Sequence, residues 1–258
     1  MNICIGLVAG GPAWDQLCMQ EGVPFRLVDP AIPLSHESCS LLVINRPLSW
    51  DERSNVEAFL GSGGAILGSA HDLNGVGGTT VRKEWLEYIV PDNESVINGV
   101  SLLDVGFEGS IPGEANAFRT PSNTFALFAG PLRGGYAVIL PFRVGELLGD
   151  TRMADKSFYA SPDRLPSERV SSAGKGELRH LIHRSFEYLH HARGLPYVHL
   201  WYFPADNRNV MAFRVDTDGA LRPDIDALYR VARNNEVPLT WFLDVKSCAA
   251  ALPWRAAS

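Results

Sequence analysis

The sequence has little of what several large classes of protein require. Its four cysteines, Cys4, Cys18, Cys39 and Cys248, form no CxxC pair and no zinc-finger spacing, so neither a disulfide framework nor a structural zinc site is predicted. Lys and Arg number 23 against 29 Asp and Glu. Because binding to phosphate groups requires a clustered excess of basic residues, we expect no nucleic-acid partner and no anionic membrane surface as the main partner.

Long apolar runs are also missing. No stretch reaches the roughly 18 consecutive apolar residues of a transmembrane helix, so no membrane span is expected. Residues 1–11 are apolar but carry no basic segment, and Asp15 follows soon after, which predicts a buried first strand rather than a signal peptide. Together with the cysteine pattern, this predicts a cytoplasmic protein.

Short apolar runs alternate with helical patterns in the first part of the chain. The runs predict strands at 3–8, 24–28, 41–45 and 64–67, with helices at 14–21 and 51–60. Parallel strands need crossover connections and become buried on both faces, so this alternation predicts an α/β fold with a parallel sheet. We expect a flavodoxin-like three-layer sandwich.

The middle of the chain is more mixed. Its pattern predicts a helix at 82–90, strands at 100–105, 125–130 and 135–142, and a helical turn at 143–148. Residues 153–172 are rich in Ser, Pro and charge and predict a linker. A helix with one apolar face follows at 177–193. The predicted domains are therefore 1–150, a linker and long helix at 151–208, and a last domain at 209–258.

The segment Gly68-Ser69-Ala70-His71-Asp72 follows a predicted strand. It resembles the nucleophile elbow, G-x-C-x-G, of class I glutamine-amidotransferase-like domains, a group that includes ThuA-like domains. Ala70 stands where that family has its cysteine, so the resemblance implies a degenerate domain without acyl-enzyme chemistry. A triad of Ser69, His71 and Asp72 is disfavoured, because adjacent residues rarely align as nucleophile, base and orienting acid.

His180 and His183 share a face of the predicted long helix, as a pair of metal ligands would. No recognisable carboxylate motif accompanies them, so we interpret them as part of a charged helix surface.

Two acids, Asp216 and Asp218, come directly after a predicted strand, and a helix and a second strand follow. Ligands of α/β folds bind at the carboxyl ends of parallel strands. Two acids one residue apart repel each other unless a cation or a shared proton relieves them, which is compatible with one acid binding a metal and the other acting as a base. The structural alternative is that Asp218 caps the helix beginning near Pro223.

The segment FRVDTDGA, followed by Thr240, Trp241 and Phe242, resembles the opening of a NodB-type polysaccharide deacetylase, carbohydrate esterase family 4. The resemblance implies the first βαβ unit of a (β/α) barrel, with Asp216 as general base and Asp218 as a metal ligand. It also implies a divalent metal, Zn or similar, and a polysaccharide or amino-sugar substrate from which acetyl groups are removed.

The family also needs a His-x-x-x-His motif after these acids. All seven histidines of the chain precede Asp216, the last being His199, so the partner ligands are absent. We therefore expect an apparently truncated deacetylase domain that is inactive in this chain.

Two alternatives remain from other classes. VDTDGA also resembles the motif of haloacid-dehalogenase-type phosphatases, which implies Asp216 as nucleophile, Asp218 as acid and base, and Mg²⁺; Ala220 replaces the usual Thr. The other is a non-catalytic scaffold that binds a ligand or a protein partner. A homo-oligomer is also compatible with the sequence.

Overall fold

The computed structural model describes residues 3–157, 167–200, 207 and 211–244. The chain divides into two units, Met1–Leu200 and Trp201–Ser258. The domains predicted at 1–150, 151–208 and 209–258 stay a prediction.

The first unit alternates strands and helices. Its described strands are β1 (Ile5–Val8), β2 (Phe25–Val28), β3 (Leu41–Ile44), β4 (Ala65–Ser69), β5 (Val81–Ile89), β6 (Leu103–Pro112), β7 (Ala117–Arg119), β8 (Phe125–Leu132), β9 (Gly135–Leu140), β10 (Met153–Ser157) and β11 (Ser167–Ser171). Its helices are α1 (Pro12–Glu21), α2 (Trp50–Gly61), α3 (Val144–Gly149) and α4 (Lys175–Ala192).

Seven strands form the main sheet, in the order β2-β1-β3-β4-β9-β8-β7. The first five strands in this order are parallel to their neighbours. β8 and β7 extend the sheet with antiparallel pairing. The register Ser69↔Leu140 brings the carboxyl ends of β4 and β9 side by side. Residues that follow these two strands therefore meet at the carboxyl end of the sheet.

Both faces of the main sheet are covered. Successive side chains of a strand point to opposite faces, so Leu41 and Val43 belong to one apolar cluster and Leu42 and Ile44 to another. The first cluster includes apolar residues of α1, α3 and α4, and the second includes those of α2. This double burial explains why the parallel strands are continuously apolar rather than alternating.

Helix α4 forms as its pattern predicts. Its apolar residues recur every three or four positions and are all buried in the first cluster: Leu178, Leu181, Ile182, Phe186 and Leu189. Burial of this stripe anchors the helix on the sheet.

The predicted helix at 82–90 is wrong. Residues Val81–Ile89 form β5, which pairs with β6 in antiparallel register. Leu86 and Ile89 are both buried although they lie three residues apart, and the pairing register with β6 shifts between Leu86 and Tyr88. This strand therefore has buried residues at the spacing of a helix face.

The stretch predicted as a linker, 153–172, contains two strands. β10 and β11 pair in antiparallel register, with Ala154 opposite Val170. Composition alone did not reveal this pairing, because the residues of the two strands are mostly polar or charged, as in a linker.

The second unit contains a strand, a helix and a strand, as its sequence predicts. β12 (Phe213–Asp216) and β13 (Leu239–Phe242) are parallel, and α5 (Arg222–Asn234) connects them. In α5 the buried residue is Ala232, whereas Leu228, Tyr229 and Val231 are exposed.

The prediction of an α/β fold is confirmed by the large, mostly parallel sheet. The finer prediction, a flavodoxin-like sandwich followed by the start of a barrel, is not confirmed. None of the helices in the described part of the chain combines the length and the apolar character needed to cross a bilayer.

Candidate functional site

The two predicted acids lie on either side of a buried threonine. The Thr217 hydroxyl donates to the carbonyl of Phe242 at 3.3 Å and accepts from the amide of Asp244 at 3.0 Å. Its own amide also donates to Phe242. These bonds tie the carboxyl ends of β12 and β13 together and leave Asp216 and Asp218 exposed.

Asp216 already has a cationic partner. Nη2 of Arg214 donates to its carboxylate at 2.7 Å. Among the residues that the structure describes, no group of three or more His, Cys, Asp or Glu side chains is placed to hold a metal ion. Two exposed carboxylates, one of them bound by an arginine, do not fit the closed set of ligands that a divalent metal site needs. The roles of Asp216 as base and Asp218 as ligand stay predictions.

The alternative role of Asp218 as a helix cap is wrong. Helix α5 begins after Leu221, and the carboxylate of Asp224 accepts from the Leu221 amide at 3.2 Å. Because Asp224 lies within the first turn, it provides the local cap from inside the helix.

A different polar cluster lies in the first unit, where β4 and β9 end. The Ser69 hydroxyl donates to Asp72 at 2.7 Å, and the Asp72 amide donates back to Ser69 at 3.1 Å. Nη2 of Arg143, which follows β9, donates to the same carboxylate at 2.6 Å, and Nε also donates to it. The adjacent strand ends thus bring together residues 71 positions apart.

The Asp72 carboxylate is buried, with a side-chain exposure of 1%, and its charge is compensated by Arg143. Hydrogen bonding to Asp72 raises the pKa of the Arg143 guanidinium. His71 is exposed, and no hydrogen bond joins it to Ser69 or Asp72 within the described residues. The three adjacent residues do not form a triad, as expected from their spacing.

A cleft of about 140 Å³ opens beside this ion pair. It lies between the ends of the sheet and the β5–β6 pair, whose Ser110 amide donates to the Pro141 carbonyl at 2.7 Å. Its lining combines cationic, acidic and aromatic residues: His71, Lys83, Phe107, Glu108, Ser110, Pro141, Phe142, Arg143 and Glu146. Hydrogen-bond donors and acceptors therefore lie side by side in a small space.

Trp85 extends the cleft along the surface. Directly paired residues on antiparallel strands project from the same face of the sheet. The pairs Lys83↔Ser110 and Trp85↔Glu108 therefore place the indole beside two cleft residues. Trp85 is 66% exposed, so its side chain is accessible to a ligand.

A second buried acid, Glu21, lies at the end of α1. It accepts hydrogen bonds from Arg179, and His183 Nδ1 lies 2.8 Å from its carboxylate. Burial opposes ionisation, but the bonds from His183 and Arg179 outweigh it and lower the pKa of Glu21 to about 2. A carboxylate does therefore accompany the helix histidines, contrary to the sequence interpretation, and its contacts are those of an internal ion cluster.

The sequence interpretation identified Ser69, His71 and Asp72 but missed Lys83, Trp85 and Arg143. Arg143 follows the strand predicted at 135–142, so the rule that neighbouring parallel strands end together could have placed it near Asp72. Lys83 and Trp85 were hidden by the wrong helix assignment.

Comparisons with known proteins give no family model and no curated protein that matches this chain. Among solved structures, the β-galactosidase of Rahnella sp. R3 has a TM-score of 0.48 at 10% identity, over 76% of this chain and 32% of that one. The β-galactosidase of Bacillus circulans sp. alkalophilus has a TM-score of 0.45 at 11% identity, over 71% and 30%. The chain therefore spans about a third of these enzymes.

A putative ThuA-like protein from Bacteroides uniformis ATCC 8492 has a TM-score of 0.42 at 12% identity, over 73% of this chain and 90% of that one. None of these structures is a NodB-type deacetylase. The predicted recognition, a deacetylase start after a degenerate amidotransferase-like domain, is wrong, and so is the predicted acetyl-removing function. The local motif around Asp216 misled, because a motif match identifies a family only when its structural context is also present.

Proposed function

We propose that the first unit is a ligand-binding domain whose site is the cleft at the carboxyl ends of β4 and β9, and that it takes one sugar residue or a similar polyhydroxylated molecule. The observation that carries this proposal is the mixed lining of the cleft next to the exposed indole of Trp85.

Binding without catalysis is supported by the state of the polar cluster. Ala70, between Ser69 and His71, is fully buried and has no nucleophilic side chain. The Asp72 carboxylate binds Ser69 and Arg143, so it does not orient a histidine that could act as a base. With its acid committed to a structural ion pair, the cluster shapes the cleft wall.

The charge pattern favours a neutral, hydroxyl-rich ligand. A hydroxyl group both donates and accepts hydrogen bonds. Lys83 and Arg143 supply donors, and Glu108 and Glu146 supply acceptors, so opposite charges balance across the cleft. An aromatic ring such as that of Trp85 offers an apolar face to the C–H side of a sugar.

The size of the cleft restricts what it can hold. Its volume of about 140 Å³ lies below the roughly 300–1,000 Å³ of pockets that enclose drug-sized ligands. A single residue at the end of a chain fits this volume better than a buried oligomer. A polysaccharide or amino sugar presented in this way is the partner class we propose.

The finer predictions on fold and location belong to the same proposal. The parallel order β2-β1-β3-β4-β9 supports a flavodoxin-like sandwich for the first unit. The three cysteines in the described residues, Cys4, Cys18 and Cys39, are buried thiols, which supports a reducing cytoplasm.

The test is a titration of the full chain with hexoses and N-acetylhexosamines, followed by amide shifts in NMR spectra. We expect one sugar to shift the amides of Lys83, Trp85 and Glu108 with a Kd on the order of 1 mM. Trp85→Ala should weaken this binding about tenfold, since a lost contact of about 1.4 kcal/mol corresponds to that factor.

The matched control is Trp50→Ala. Trp50 is also exposed but lies at the start of α2 and does not line the cleft. Its removal should leave the titration unchanged. Shifts at other sites only, or equal losses in both variants, would overturn the proposal.

A further inference from the structure

A larger cavity, of about 550 Å³, lies on another side of α3 in the same unit. It is bounded by α1, by α3 and by the first turns of α4. Its lining consists of small or apolar residues and four polar side chains: Pro12, Ala13, Gln16, Leu17, Gln20, Gly145, Leu148, Gly149, Lys175, Gly176 and Arg179. The volume is within the range of small-molecule sites.

Glycines keep this cavity open. A Cβ atom built on Gly149 or Gly176 would have no heavy atom within 4 Å, and one on Gly145 would approach only Ala13, at 3.8 Å. Space is therefore left where side chains of ordinary size would project. The cavity is a consequence of residue choice on two helices.

The polar residues of the cavity occur in two helical pairs. Gln16 and Gln20 are four residues apart on α1, and Lys175 and Arg179 are four apart on α4, so each pair shares a helix face. No Asp or Glu is among the lining residues. The cavity therefore has two cationic groups and two amides.

Lys175 is partly exposed, and within the described residues its ammonium group makes no direct hydrogen bond or ion pair. Its charge acts on Asp150, whose carboxylate is itself bonded by Arg152 at 2.6 Å. A bound anion would give this ammonium group a direct, charge-assisted hydrogen bond.

Arg179 is held in position at the cavity wall. Its Nε donates to the buried Glu21, and Nη2 donates to the Gln20 carbonyl at 3.2 Å. These bonds orient the guanidinium, while Glu21 compensates part of its charge. Lys175 is therefore the principal cation for a ligand.

We infer that this cavity binds an organic anion, with its carboxylate or phosphate at Lys175 and Arg179 and an apolar body against Leu17 and Leu148. Charge-assisted hydrogen bonds to the head group would supply direction, and burial of the body would supply affinity. This site is separate from the sugar cleft and does not depend on it.

Calorimetric titration of the full chain with benzoate and with phenyl phosphate tests the inference and distinguishes the two head groups. We expect at least one of them to bind about tenfold more tightly than acetate or inorganic phosphate, which lack the apolar body. Benzyl alcohol, which has the body without the charge, should bind at least tenfold more weakly.

Two variants locate the binding. Lys175→Met should weaken the preferred anion about tenfold, and Gly176→Leu should abolish binding by filling the cavity; Gly176 lies in α4, where leucine also suits the helix better than glycine. Arg133→Met, at an exposed position that lines neither the cavity nor the cleft, is the control and should leave anion binding unchanged. Undiminished binding in Lys175→Met or Gly176→Leu, or no binding of either aromatic anion, would overturn the inference.

Discussion

Two ion pairs of the first unit differ from the pair at Asp216 in the second unit in how their partners meet. In the first unit, Asp72 pairs with Arg143, and Glu21 pairs with Arg179, across more than 70 positions in each case, and both acids are buried. In the second unit, Asp216 pairs with Arg214, two residues away, and stays exposed. Long-range pairs are shielded by the elements that bring them together, whereas local pairs remain in water, where their attraction is weak. We therefore expect the buried long-range pairs to contribute to the free energy of unfolding and the exposed local pair to contribute little.

The largest effect is expected for Arg143→Ala. This variant leaves the Asp72 carboxylate buried without a cation, and we expect a loss of about 3–5 kcal/mol in the free energy of unfolding of the first unit. Urea denaturation followed by circular dichroism measures it. The matched control is Arg184→Ala, which removes the partner of the partly exposed Glu187 and should cost no more than about 1 kcal/mol. Similar losses in both variants would break the comparison.

A smaller loss of stability is expected when the pH is lowered, because Glu21 becomes protonated. The pKa of Glu21 is lowered from 4.5 to about 2 in the folded state. An acid with a lowered folded pKa stabilises the fold above its unfolded pKa, and this contribution is lost as the pH falls through the folded pKa. The window is therefore pH 4.5 to about 2, and the contribution amounts to about 3 kcal/mol.

Glu21→Gln tests this assignment, because glutamine keeps the shape and cannot ionise. The variant should be less stable at neutral pH, and the fall in its stability between pH 4.5 and 2 should be shallower by about the same 3 kcal/mol. Glu146→Gln is the control at an exposed acid. An unchanged acid slope in Glu21→Gln would show that its ion cluster does not stabilise the fold.

The smallest effect is expected for Arg214→Ala in the second unit. The exposed pair with Asp216 should contribute less than about 1 kcal/mol to the free energy of unfolding. The same variant frees the Asp216 carboxylate, so titration with Zn²⁺ should show weak binding in the parent chain, tighter binding in Arg214→Ala and none in Asp216→Asn with Asp218→Asn. A loss as large as that of Arg143→Ala would contradict the distinction between the units.

Local pattern predicted the type of most elements, because strands and helices place apolar residues at different periods. The buried stripe of α4 and the strand, helix and strand from Phe213 to Phe242 both follow from spacing alone. β5 did not, since its buried residues Leu86 and Ile89 have the spacing of a helix face. The error also concealed Lys83 and Trp85, and with them most of the cleft.

The Asp-x-Asp motif of Asp216 and Asp218 is recognisable in the sequence. Such a motif defines a reaction only when the other residues of the site are also present. The neighbours of the two acids in the structure are Arg214, which donates to the Asp216 carboxylate, and Thr217, which donates to the Phe242 carbonyl. The cluster of Ser69, Asp72 and Arg143 could be predicted only in part. Ser69 and Asp72 stand close together in the sequence, whereas Arg143 comes near them only because β4 pairs with β9.

The sequence by itself determined the α/β class, the amphipathic helix α4 and the strand, helix and strand from Phe213 to Phe242, because each depends on residues within a few positions of one another. The tertiary structure decided the order of the strands, the pairing of Asp72 with Arg143 and the two cavities beside α3. These features depend on which strand ends meet and on how much space the glycines leave, and both are set by contacts between distant parts of the chain.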